Sequence, residues 1–335
     1  MRKLLSLTAF VLSVAGPASA DGIPIKFTLD WKIQGVHGWF YLAEEKGYFD
    51  AEGLDVTIDQ GEGSAATVSR IMSGAYDAGF GDMNAIIQNA ATNPDDAPVM
   101  VYQIYNQPPF AVLTKTGGAV ESLASLEGLK VGAPPGSAST KLFPALASAA
   151  GFDADKVELI SVKSNLQEQM LVQDQVSASL VFNVTSYLNI LGIGMDPDKD
   201  FTWYPYGASG LDIYSNGVMV SPKLLEENPE AVRGLVNAIA KAMADVLVNP
   251  QEGIDIITAT EPLSNGELEM KRLQFALDNL IFSDESKVNG IGAIDVERLT
   301  RSITTIKELY DLPETPEAED VFDASFLPPM DMRSF

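Results

Sequence analysis

The chain reads as an α/β protein built from two similar, doubly wound lobes. Two observations predict this: short apolar strands alternate with amphipathic helices from near residue 25, and the same alternation returns about a hundred residues later. Length agrees, because 335 residues exceed one ordinary domain and suffice for two hydrophobic cores.

Residues 1–20 carry Arg2 and Lys3, an apolar run from Leu4 to Val14, and then Ala18-Ser19-Ala20. These are the three parts of a secretory signal, so the mature chain is expected to start at Asp21. The apolar run is about half of what a membrane span needs. Residues 25–29 alternate as a first strand, 37–45 lead through a short helix to a turn at Gly47, and 55–59 form a second strand. Gly61-Glu62-Gly63-Ser64 opens a helix over 65–73 that Gly74 closes, before a strand at 78–81 and a helix from Met83. This order predicts a mainly parallel sheet covered on both faces.

The second round begins with a strand at 130–133 and the loop Pro135-Gly136-Ser137-Ala138-Ser139, which opens a helix over 140–150. A strand at 157–162, a helix at 166–172 and a strand at 178–182 follow. Gly151-Phe152 answers Gly47-Tyr48-Phe49, and residues 170–178 answer 70–78. Residues 110–114 and 213–220 are extended, apolar and bounded by Pro, Gly or Asn, which makes them the expected crossings between lobes. The expected organisation is a signal at 1–20, the first part of lobe 1 at 21–109, lobe 2 at 110–216, and a return to lobe 1 at 217–335. That return is helical over 228–246, 267–280 and 295–310. The Pro- and acid-rich stretch 312–320 reads as an extended tail, docked by the aromatics of 321–327.

Forty-six acidic against 22 basic residues give a formal charge of −24, and loss of Arg2 and Lys3 takes it to −24 − 2 = −26. Such a field repels phosphate backbones and anionic lipid, so neither nucleic acid nor a membrane surface is an expected partner. The chain has no Cys, which excludes a lipidated N-terminal Cys, a disulfide, a thiolate metal site and a Cys nucleophile. A single His, His37, excludes a paired-His metal site. No Gly-x-Ser-x-Gly elbow occurs, and Gly61-Glu62-Gly63 does not continue as a dinucleotide or P-loop fingerprint. Binding is favoured over catalysis, with no cofactor and no metal expected.

Ligands of open α/β sheets meet the carboxyl ends of strands, and the candidates cluster there. Trp31 offers a rigid face for a planar ligand, His37 a donor or acceptor, and Tyr41 a ring edge or hydroxyl, whereas Trp39 and Phe40 read as core. Ser64 at one helix start, and Gly136 and Ser137 at the equivalent loop of lobe 2, place two helix ends to grip a ligand from opposite sides. Asp82, after Gly79-Phe80-Gly81, is the candidate carboxylate for a ligand N–H, with Asn183 as its counterpart. Trp203 and Tyr214 close the far side of an aromatic slot. Each has a structural alternative: a core Trp, a satisfied His, or a helix cap. Lys32, Arg70 and Lys141 are the nearest cations and read as solvated, which favours a planar heterocycle or aromatic over an anion.

The stretch Leu29-Asp30-Trp31, His37, Tyr41-Leu42-Ala43, Gly47-Tyr48-Phe49 and Gly53-Leu54-Asp55-Val56 resembles the opening motif of the NMT1/THI5-like periplasmic solute-binding proteins. The resemblance covers nearly the whole mature chain, most clearly 31–56, 61–82, 132–139 and 212–220. It implies the type II periplasmic binding protein fold, two lobes joined by a two-crossing hinge. The ligand is then trapped in the hinge cleft and delivered to an ABC importer permease at the inner membrane. A soluble, non-lipidated periplasmic monomer is expected. Members of the family serve pyrimidine precursors of thiamine, flavins, other heterocycles, sulfonates and nitrate, so the implied function is a receptor for a heterocycle resembling a thiamine-pyrimidine precursor. An anion receptor of the sulfonate or nitrate type is the alternative. Lys32-Ile33-Gln34-Gly35 departs from the Pro-Asn-type segment common after the Trp, and Asp212-Ile213-Tyr214-Ser215 follows the second crossing motif only loosely. The family's enzyme branch makes a thiamine pyrimidine and carries a Cys-rich segment absent here, which sets a pyrimidine-synthase-like enzyme behind both.

Overall fold

The computed structural model describes residues 22–163 and 165–335, so the signal reading of 1–20 lies outside the described residues. The strands are β1 (Ile23–Thr28), β2 (Leu54–Asp59), β3 (Ala78–Asp82), β4 (Val99–Gln103), β5 (Phe110–Lys115), β6 (Lys130–Ala133), β7 (Glu158–Ser161), β8 (Ala178–Phe182), β9 (Phe201–Pro205) and β10 (Asn216–Val220). They form two five-stranded sheets of the same design, ordered β2-β1-β3-β10-β4 and β7-β6-β8-β5-β9. In each, four strands run in one direction and one, β10 in the first sheet and β5 in the second, runs against its two neighbours.

The sheets are therefore mixed, more so than the strand–helix alternation predicts. Its cause is an exchange: β5 follows β4 into the second sheet, and β10 follows β9 back into the first. The strand that has just arrived takes the antiparallel place beside the parallel three. The segments 110–114 and 213–220 are extended and apolar for this reason. β5 and β10 lie inside sheets, between neighbours on both sides, where both faces are buried. The chain passes between sheets in residues 104–109 and 206–215, outside any strand.

The internal repeat is visible in register. Phe27 pairs with Ala78 in the first sheet, and Val131 pairs with Ala178 in the second. Thr67 donates through Oγ1 to Phe80 O at 3.2 Å, and Gln167 donates through Nε2 to Leu180 O at 2.8 Å, the same tie in both halves. Gly79 and Gly81 allow the helix Ser64–Met72 to lie against β3, since a Cβ at either would stand 2.7–2.8 Å from the Thr67 side chain.

The C-terminal third is helical, as its patterning predicts. Pro229–Val248 has Pro at its first turn, where no N–H is needed, and buries a stripe through Val232, Val236, Ile239 and Met243. It packs on the helix Gly38–Glu45 together with Pro250–Thr260. Gly266–Ala276 continues in wider turns through Leu277–Ile281. Leu299, Ile303 and Ile306 of the helix Val296–Tyr310 join one core with Ile86 of the first half and Leu142 and Leu146 of the second. The end of the chain docks by its aromatics: Phe322 is buried in one core with Met100, to which its backbone also bridges, and Arg233 lies 5.3 Å over the Phe326 ring.

Candidate functional site

β1 ends at Thr28, and the loop that follows is held from below. Gly61 N–H donates to Trp31 O at 2.9 Å and Gly63 N–H to Asp30 O at 2.7 Å, which lays the loop after β2 along the loop after β1. Only glycine fits at 61, where a Cβ would stand 2.1 Å from Leu29 O. Asp30, Trp31 and Ser64 thereby form one wall of a cavity whose other wall is Ser137, Gln167, Phe182 and Thr185 of the second half. The space among these residues is about 300 Å³, of which only about 10 Å³ admits the centre of a water molecule, roughly the room one water requires. A ring does not fit the cavity as it stands.

The chemistry of the first wall is set by a hydrogen-bond chain. Gln34 N–H donates to His37 Nδ1 at 3.1 Å, so that nitrogen carries no proton. His37 Nε2–H then donates to Asp30 Oδ1 at 2.8 Å, and Asn216 Nδ2 donates to Oδ2 at 2.8 Å. The ring is thus held in its neutral Nε2–H tautomer, and Asp30 stands as a carboxylate fixed by two neutral donors. It is 5 % exposed. Beside it the Ser64 Oγ is buried with no hydrogen-bond partner among the described residues. The buried cation Arg272, bonded to the backbone of the lining residue Thr185, is engaged elsewhere: it pairs with Glu269 at 3.0 Å and donates to Val184 O at 2.9 Å and Thr185 O at 2.8 Å. Glu269 also accepts from Gly35 N–H at 2.6 Å, and Thr185 Oγ1 donates to Gln34 Oε1 at 3.2 Å. On the far side Glu168 accepts from the Ser186 hydroxyl, and burial holds its pKa above the ordinary carboxylate range.

Of the residues expected at the site, Trp31, Ser64 and Ser137 meet in this cavity. His37 acts one step behind it, through Asp30, packed against the rings of Phe40 and Phe80. Gly136 lies at the contact of the halves, where its carbonyl accepts from Ala66 N–H at 3.1 Å. The free N–H of one helix end is thus capped by the loop of the other half, and the pair is closed on itself. Asp82 lies outside the cavity, 1 % exposed, capping its own helix through Ala85 N–H at 3.0 Å. Burial pushes its pKa up to about 7, against the lowering effect of its bonds to Asn84 and Ala85. Asn183 accepts at Oδ1 from Val184 N–H at 2.7 Å. The registers make Phe182, not Asn183, the residue that ends β8 as Asp82 ends β3. Tyr41 is in the core, its phenol pushed up to about 12 by burial and by Glu44, Asp59 and Glu261. Trp203 packs on Tyr187 and donates to Pro197 O at 2.9 Å, away from the cavity. Tyr214 is fully buried, bonded to Glu285 beneath Arg298. Arg70, expected on a solvated face, is tied down: it donates to Thr28 Oγ1 at 2.6 Å and to the Tyr76 hydroxyl at 2.8 Å.

Four lining residues were not among the candidates. Asp30 carried a usable signal, a carboxylate at a strand end directly before the chosen Trp31. Gln167, Phe182 and Thr185 reach the cavity through the pairing of the two halves, which local pattern does not encode.

The family sequence model described as NMT1/THI5 like matches residues 34–253. The chain belongs to the NMT1/THI5-like family. Riboflavin-binding protein RibY of Chloroflexus aurantiacus is 24 % identical over 297 residues, covering 86 % of this chain and 82 % of its own. The formylaminopyrimidine-binding protein of Halalkalibacterium halodurans is 26 % identical over 331 residues, 96 % of this chain and 98 % of its own. Another relative is an enzyme by name, the 4-amino-5-hydroxymethyl-2-methylpyrimidine phosphate synthase THI11 of Saccharomyces cerevisiae, 26 % identical over 322 residues, 90 % and 92 % of the two chains. Among solved structures, the alkanesulfonate-binding protein SsuA from Xanthomonas axonopodis pv. citri shares the fold, with a TM-score of 0.68 at 12 % identity over 91 % of this chain and 100 % of its own. The architecture is the two-lobed periplasmic binding protein fold. Among the described residues no helix is long and apolar enough to cross a membrane.

Proposed function

We propose that this chain is the solute-binding receptor of an ABC importer, that it works in the periplasm, and that it carries a small planar heterocycle between its lobes. The observation that carries the reading is the cavity itself. A tryptophan face, a fixed carboxylate and an unpartnered hydroxyl converge at the strand ends, and no lining residue is a cation. Such a wall stacks and accepts hydrogen bonds; it offers nothing to neutralise a sulfonate or nitrate. Two binding-protein relatives are named for ring compounds, riboflavin and formylaminopyrimidine, which supports the same class.

Receptor is preferred to enzyme because the cavity lacks a nucleophile with its base: the sole His spends both ring nitrogens on structural partners. On this reading Trp31, Ser64 and Ser137 touch the ligand, lobe 2 is centred on the second sheet, and the hinge lies in residues 104–109 and 206–215. The test is a thermal-shift and mass-spectrometry panel of riboflavin, formylaminopyrimidine, taurine and nitrate on the mature protein. Saturable stabilisation by a ring compound recovered unchanged is the expected result. Conversion of that compound would make the protein an enzyme, and tight binding of taurine or nitrate alone would make it an anion receptor.

A further inference from the structure

Resting on that reading, we propose that the heterocycle is received as a cation, a protonated ring nitrogen or amidine-like edge set against Asp30. The argument begins with charge. Asp30 is a buried carboxylate whose two partners, His37 Nε2–H and Asn216 Nδ2–H, are both neutral. Each of its oxygens has a second lone pair, so the group still accepts two hydrogen bonds after its structural ones. A carboxylate taken out of water without a counter-charge is held at a cost, and a cation placed against it recovers much of that cost.

Among the described residues no cation fills that role. Arg272 is fully committed to Glu269, Asn189 and the two carbonyls of the neighbouring helix. The other charged or titratable groups packed near Asp30 are His37, neutral as bonded, and Tyr105, whose phenol burial keeps protonated. Glu168 and Glu269 on the facing elements add no positive charge.

Geometry supports the same ligand. Asp30 and Trp31 are adjacent and line one cavity, so a flat cation meets the carboxylate with its edge and the indole with its face. The buried, unpartnered Ser64 Oγ lies on the same wall and can accept from a second N–H or donate to a ring nitrogen. A pyrimidine with an exocyclic amine fits this donor pattern, because protonation beside the amine spreads the charge over a two-donor edge. A bidentate contact of that kind is among the stronger charge-assisted pairs. An anion placed there faces Asp30 directly.

The experiment is calorimetry on the mature protein with formylaminopyrimidine, at a pH well above the pKa of its free ring, in buffers of different ionisation heat. Uptake of close to one proton per ligand is the expected result, together with about a tenfold or greater loss of affinity, and loss of that uptake, in Asp30→Asn. A second measurement uses only the native protein, comparing the pyrimidine with its carbocyclic isostere, which has no ring nitrogen to protonate. Tighter binding of the pyrimidine by about tenfold or more supports the pairing. Binding of both alike with no proton uptake overturns the cation inference and leaves the heterocycle receptor standing. Binding of taurine or nitrate without either ring compound overturns both.

Discussion

The two halves share one scaffold and divide the chemistry between them. Ala78 and Ala178 begin equivalent strands, and Thr67 and Gln167 tie equivalent helices to them. Where β1 runs on into Asp30-Trp31, however, β6 runs on into Pro134-Pro135, and where β3 ends in Asp82, β8 ends in Phe182. The first half presents a carboxylate fixed by its own hydrogen bonds; the second presents a neutral surface of Ser137, Gln167, Phe182 and Thr185. Duplicated topology therefore gives both walls the same scaffold, while the fixed charge resides in one. The halves meet through Gly63 and Gly136, so close that a Cβ on Gly63 would stand 2.0 Å from Gly136 O.

The largest effect tests whether charge between the halves is needed for folding. Arg272→Met removes the cation paired to Glu269 and leaves a buried carboxylate held by Gly35 N–H, which should cost about 3–5 kcal/mol in urea unfolding. The double variant Glu269→Gln, Arg272→Met, which keeps an acceptor for Gly35, should recover most of that loss. If the single variant is as stable as the native protein, the pair contributes nothing and the comparison loses its charged side.

Next comes the equivalence of Asp82 and Phe182. With a folded pKa of about 7 against an ordinary 3.8, Asp82 binds its proton more tightly in the native state. The native state then holds the extra proton between those values, so stability is greatest below them and falls as pH rises through 7, by up to about 4 kcal/mol. Asp82→Asn should flatten that slope relative to the native protein between pH 5 and 8, read by urea unfolding across that range. Parallel slopes in the two proteins would show that Asp82 is an ordinary cap.

Legibility of the fold and of the site differed for a physical reason. Apolar period and Gly-bounded turns are local, so the repeat, the paired strand–helix units and the long C-terminal helices were all readable. Pairing across the halves is not local. The antiparallel insertion of β5 and β10 looked like two bridging segments because a buried central strand and an apolar crossing have the same composition. In the cavity, Trp31, Ser64 and Ser137 were legible from strand ends and helix starts. Asp82, Tyr41 and Tyr214 are equally capable of meeting a ligand by residue type, but they are turned inward, where Asp82 caps a helix and Tyr214 meets Glu285.

A smaller effect separates the two walls by aromatic. Trp31→Ala should lower affinity for the stabilising heterocycle by about 1–3 kcal/mol if the indole is the stacking platform. Phe182→Ala, on the neutral wall, should cost less, because its ring also packs edge-on to Phe110, 5.3 Å between centroids. Calorimetry on both variants decides it, and equal losses would assign the platform to both walls.

The finest comparison uses two serines that face each other across the cavity. Ser64 Oγ is buried without a partner among the described residues, whereas Ser137 Oγ is 2.8 Å from Ser139 Oγ. Removing an unsatisfied hydroxyl relieves a desolvation penalty, so Ser64→Ala should leave folding stability unchanged or slightly raised and weaken heterocycle binding by about 0.5–1.5 kcal/mol. Removing a satisfied one does the reverse. Ser137→Ala should lose about 0.5–1.5 kcal/mol of stability and weaken heterocycle binding less than Ser64→Ala does. Urea unfolding and calorimetry on the pair check all four expectations. Loss of stability with retained affinity in Ser64→Ala would show that its hydroxyl serves the fold, and would leave the Asp30 carboxylate and the Trp31 face to hold the ligand on this wall.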